Sequence, residues 1–191
     1  MDKKVNKRVN DAWDKIESLV QDLDAKQLKH LRPPATQEQI DELSKAVGIN
    51  LPPDIQASLL RHNGSLKDKT FLTFEFYSAD EITTKTLKQR ESHKKRCDEN
   101  ETQYPFSEGG WNNETIIMGW SPAGYGFAVE CETCEKAVPH FFADCNYAMK
   151  LTRDYVSYLE AVADLLKTGS FDSESETITL YGWGEHTGFK D

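Results

Sequence analysis

The feature that most constrains this chain is a run of helix punctuation between residues 33 and 64. Pro33-Pro34 stops any preceding helix, because a proline lacks the backbone donor and pushes the residue before it into an extended conformation. Thr36 and Gln39 then form a T-x-x-Q capping box, in which each side chain satisfies the other residue's free backbone donor. Ile40, Leu43 and Val47 share one face of the helix that follows, and Gly48 can take the left-handed conformation that ends it. Pro53 suits the first position of a further short helix carrying Ile55, Leu59 and Leu60, which stops at Asn63-Gly64.

The flanking sequence places other elements around this block. Val5, Val9, Ala12, Trp13, Ile16, Val20 and Leu23 recur at three- and four-residue steps and predict an amphipathic N-terminal helix. Thr70 to Tyr77, rich in Phe and Thr, reads as a strand. Ser78 and Glu81 make a second capping box, with Tyr77 and Ile82 spaced as a hydrophobic staple. The helix they start, over 83–103, offers only Leu87 and Cys97 as apolar anchors and is expected to be mostly solvated. Thr115–Trp120, Tyr125–Cys131 and Ala137–Ala143 read as strands, the last two joined by the turn at Glu132–Lys136. Tyr155, Tyr158, Leu159, Val162, Leu165 and Leu166 form the apolar face of a closing helix that starts near Thr152 and ends at Gly169. A strand-like run, Thr177–Tyr181, follows. Helices first, then strands, then a closing helix predict an α+β fold with a central, mostly antiparallel sheet and a short C-terminal tail.

The chain's 191 residues suit a single domain over 1–191, with its core at about 10–170 and an extension at 171–191. Charge bears on partners. The net charge is −9, which argues against direct nucleic-acid binding. It is also uneven: residues 1–97 carry 18 Lys+Arg against 15 Asp+Glu, whereas residues 98–191 carry 5 against 17, a net of −12. Such a field steers a basic protein toward the C-terminal half. The polar start, Met1–Asn10, has no secretory apolar region, and no stretch approaches a membrane span. With Cys97, Cys131, Cys134 and Cys145 read as reduced thiols, the expected setting is the cytoplasm.

In order, Pro33-Pro34-Ala35-Thr36, Gly48-x-x-Leu51-Pro52-x-Asp54 and His62-Asn63-Gly64 resemble the opening signature of the SUKH superfamily. That group includes fungal cell-wall-assembly regulators and many bacterial immunity proteins. The closing helix from Tyr155 to Gly169 is similar to the family's final helix. The resemblance covers about residues 10–170. It implies an α+β fold, no catalysis, no cofactor, and action by binding a protein. The partner it implies is a cognate toxin of a polymorphic toxin system, a basic nuclease-type domain being one candidate. A regulatory scaffold related to the fungal members is the alternative. Within that reading, the acidic residues Glu130, Glu132, Glu135 and Asp144 are the expected contact residues, on a monomer or weak dimer.

A third reading is metal binding. Cys131-x2-Cys134-x5-His140-x4-Cys145 lies one residue from the spacing of a zinc knuckle, and thiolates with an imidazole suit tetrahedral zinc. Hairpin alternation argues against it, since it sends some of these ligands to opposite faces of the sheet. Phosphate-binding loop, dinucleotide-binding and metalloprotease motifs are absent, and Gly119-Trp-Ser121-Pro-Ala-Gly124 misses the nucleophile elbow by one residue. His62 reads as a side chain that complements a helix C-terminus. The tail's Tyr181-Gly182-Trp183-Gly184 is expected to dock on the protein's own core.

Overall fold

In the computed structural model, which describes residues 3–100, 113–122, 124–133, 136–143, 147–167, 170–172 and 177–179, the N-terminal stripe folds as helix α1 (Lys3–Leu28). Its residues Val9, Ala12, Trp13, Ile16 and Val20 are buried. The stripe runs out at Leu23, and so does the regular helix: Asp24 has φ −156° and ψ 91°. The Asp24 carboxylate accepts from the Lys26 backbone N–H at 3.1 Å. It thereby acts as a cap and starts one further turn.

Helix α2 (Gln37–Val47) begins with both bonds of the Thr36/Gln39 capping box, at 2.9 and 3.2 Å. It ends where Gly48 adopts φ 70°. Helix α3 (Pro53–Arg61) starts on its proline. Arg61 clamps α3 to α1, meeting Glu17 at 2.8 and 2.9 Å and Asp14 at 2.8 Å.

The strand expected over Thr70–Tyr77 shrinks to β1 (Glu75–Phe76). Asp68 and Leu72 both take φ 59°, a left-handed conformation that bends the chain. Phe71 and Phe74 bridge each other across the resulting loop. Phe71, Leu72 and Phe74 are all buried, and Phe71 lies 6.0 Å from the Trp13 ring. Burial of three large side chains from one short loop outweighs the strand propensity of Phe and Thr.

Four further strands complete an antiparallel sheet of order β1-β2-β3-β4-β5. They are β2 (Thr115–Trp120), β3 (Gly126–Thr133), β4 (Lys136–Ala143) and β5 (Tyr147–Lys150). One sheet face presents Phe76, Phe127 and Phe141 to helix α5 (Tyr155–Leu166), where Phe127 stacks on Tyr158 at 4.8 Å between ring centroids. Helix α5 starts at Tyr155, three residues after the expected Thr152. The Asp154 carboxylate caps it by accepting from Ser157 N–H at 2.7 Å. Arg8 ties α1 to α5 through a two-pronged contact with Glu160. Beyond α5, β6 (Ser170–Asp172) pairs with β7 (Thr177–Thr179), the described part of the strand expected over Thr177–Tyr181. Gly169 and Tyr181 to Gly184 lie outside the described residues.

Helix α4 (Ala79–Asn100) has a different anchor from the one its sequence suggests. Leu87 is exposed, whereas Ala79, Ile82 and Thr86 are buried on one face. Strand β1 covers only the Gly119–Trp120 end of β2, so the rest of that edge needs other partners. The Thr86 hydroxyl accepts from Ile117 N–H at 3.0 Å. The Arg90 guanidinium donates to the carbonyls of Val47, Asn113 and Thr115. Two side chains of a polar helix thus close the edge of the sheet.

Candidate partner-binding surface

Three polar residues of the 33–64 block, Asp54, Ser58 and Asn63, are buried. The Ser58 hydroxyl accepts from the Trp13 indole at 3.0 Å and sits 3.2 Å from the Tyr155 hydroxyl, joining α1, α3 and α5. The Asn63 side-chain oxygen accepts from Ala79 N–H at 2.8 Å, at the start of α4. Gly64, at φ 73°, lets the chain pass against β1, since a Cβ there would lie 2.5 Å from the Tyr77 carbonyl carbon. Asp54 is buried at the start of α3, where its carboxylate accepts from Ile55 N–H at 2.9 Å. Burial pushes its pKa up to about 6, against the pull of its backbone donors. His62 does cap the end of α3, but its Nε2 lies 2.9 Å from the Glu17 carboxylate of α1. Its role is therefore a tie between two helices as well as a helix terminus. The cavity beside these groups, lined by Trp13, Ser58, His62 and Tyr155, holds about 20 Å³. That is room for about one water and too little for a substrate. These buried groups belong to the core.

The sheet face opposite α5 can be read from register, because directly opposed residues share a face. One row runs Glu75, Trp120, Gly126, Phe142. The next runs Ile117, Ala128, His140, Lys150, and a third runs Thr115, Glu130, Val138. Of the expected contact residues, Glu130 therefore lies on this outer face, where Thr115, Ile117, Ala128, Val138 and Phe142 are themselves buried. Its carboxylate is partly covered and stands 3.4 Å from His140 Nε2. Glu132 is described only in its backbone, within β3, and Glu135 and Asp144 lie outside the described residues. In sequence the latter two stand immediately before and after β4.

The expected metal ligands separate on the same grounds. Cys131 is buried, and its thiol pKa is pushed up to about 12, first by burial and then by the nearby carboxylates of Asp54, Glu114 and Glu130. His140 faces Glu130 on the outer side. Cys134 and Cys145 lie outside the described residues. Among the described residues, no three His, Cys, Asp or Glu side chains gather as a metal would need.

The sequence reading missed the aromatic end of the outer face. Trp120 is 40% exposed and Tyr125 51%, at either end of the β2–β3 turn. The Trp120 indole packs edge-on against the Phe142 ring, 5.8 Å away. Gly126 between them makes room, since a Cβ there would fall inside the Phe142 ring. The available signal was a tryptophan at a strand end beside Ser-Pro-Ala-Gly-Tyr, a turn flanked by large aromatics.

Among the described residues, no helix is long and apolar enough to cross a membrane. A family model described as SMI1 / KNR4 family (SUKH-1) matches residues 34–164. That span runs from just before α2 almost to the end of α5, and excludes α1 and the β6–β7 pair. No curated protein matches the chain.

Proposed function

The chain belongs to the SMI1/KNR4 (SUKH-1) family, and from that premise we propose that it is an immunity-type protein. It neutralises a cognate toxin by direct protein–protein binding in the cytoplasm, without catalysis. The observation that carries this reading is the family match over residues 34–164, joined to the net charge of −12 on residues 98–191. A field of that sign steers a basic partner, such as a nuclease-type toxin domain, toward the C-terminal half of the chain. Glu130, Glu132, Glu135 and Asp144 are assigned to the contact face.

Affinity capture with the full chain, followed by an activity assay on whatever is captured, tests the proposal. The expected result is a single toxic domain whose activity falls when the purified chain is added in equal amount. Capture of kinases, wall enzymes or transcription factors, with no loss of their activity, would overturn it in favour of a regulatory scaffold. Reversing the four acidic residues to Lys should slow association about tenfold or more at low salt, and much less at high salt. An unchanged rate would remove these residues from the contact face.

A further inference from the structure

We propose that Trp120 and Glu75 form a seat for a single cationic side chain, an arginine, presented by a protein partner. The two residues are opposed across β1 and β2, so their side chains leave the same outer face of the sheet. The indole is held in place: Phe142 packs edge-on against it, over the space that Gly126 leaves open. Its exposure of 40% leaves ring surface available. Glu75 is also held, because its Oε1 accepts from the Asp68 backbone N–H at 3.1 Å. The second carboxylate oxygen has no partner among the described residues. Asp68 itself adopts φ 59° in the turn.

An aromatic face beside a fixed carboxylate matches one side chain best. A guanidinium stacks flat on an indole and donates in-plane to a carboxylate at the same time. Lys67 and Lys69 sit exposed in the turn around Asp68. Their charge works against a compact ammonium, which has only point attraction to offer, more than against a planar ion that also stacks. The net of −12 over residues 98–191, which include Trp120, supplies the longer-range attraction. Tyr125, across the turn, is exposed as well. Tryptophan, tyrosine and arginine pairs of this kind dominate the energy of many interfaces.

The seat deepens the binding reading given above and rests on it only for the identity of the partner. The test therefore uses two probes. In the first, a short oligo-arginine peptide is titrated into the full chain while the Trp120 indole N–H is followed by NMR, its signal assigned with Trp120→Phe. The expected result is a saturable shift at Trp120, weaker with oligo-lysine and weakened about tenfold or more in Glu75→Gln. Glu75→Gln keeps the side chain's shape and the acceptor for Asp68 N–H, so its failure to bind is informative even where Trp120→Phe is destabilised. No shift at Trp120, or one that Glu75→Gln leaves unchanged, would overturn the seat. In the second, Glu75→Gln and Trp120→Phe are offered to the captured toxin domain. Unchanged affinity in both would remove the seat while leaving the immunity reading intact. Peptide binding without any toxin partner would do the reverse.

Discussion

Asp54 shows how a single buried group sets a condition on the whole chain. Its pKa rises from 3.8 to about 6 because burial disfavours the charged form, with the Asp154 carboxylate adding to the effect. A carboxyl raised on folding stabilises the fold fully below its unfolded pKa, and that contribution is lost as pH rises through the folded value. Asp54→Asn should therefore be more stable than wild type at pH 7, by about 2–3 kcal/mol. The gain should vanish below about pH 4. Urea unfolding across that range checks it, and a gain that does not depend on pH would contradict it. Glu17 acts in the opposite sense. Its burial raises the pKa, but the hydrogen bonds and charges of Arg61 and His62 outweigh that and hold it low. Its contribution is present at neutral pH and lost as pH falls through its folded pKa. The same residue scale explains what the 33–64 block could disclose: Thr36, Gln39, Gly48 and Pro53 act through local backbone chemistry, which spacing reveals. Asp54, Ser58 and Asn63 act through distant partners on α4 and α5, which spacing does not reveal.

Among the elements, α4 is where local pattern and tertiary structure part. Its start was legible, since Ser78 and Glu81 form the capping box with bonds of 2.9 and 3.3 Å. Its purpose was not, because a polar helix that guards a sheet edge is anchored by a threonine hydroxyl and a guanidinium rather than by an apolar stripe. Thr86→Val keeps the shape but leaves Ile117 N–H buried without an acceptor, which should cost about 1–3 kcal/mol. Thr86→Ser should recover most of that loss. Equal midpoints of urea unfolding for wild type and Thr86→Val would show that the hydroxyl does not carry the edge. The β3–β4 hairpin was readable from alternation and its turn, as was the apolar face of α5. The loop before β1 was not, because the left-handed residues Asp68 and Leu72 carry no glycine or asparagine to announce them.

At the level of the whole molecule, the sequence separates a basic half from an acidic one, and the fold gives the acidic half a sheet with an outer face. Glu130, Trp120 and Glu75 share that face, although they come from three strands and two sequence regions. Gly126 to Glu130 spans about 13 Å at ~3.3 Å per residue, so one modest partner surface can reach both ends. Buried Ile117 and Ala128 separate the two ends, so the contact is expected at two points rather than as one continuous patch. Composition alone suggested charge attraction; only the register supplied the aromatic anchor beside it.

The most direct test of the central claim is growth rescue. The captured toxic domain is expressed in a host that lacks both proteins, with and without this chain. The account predicts arrest with the toxin alone, rescue by the wild-type chain, and partial loss of rescue when Glu130, Glu132, Glu135 and Asp144 are reversed to Lys. A chain that binds the domain stably yet leaves growth arrested would contradict the account.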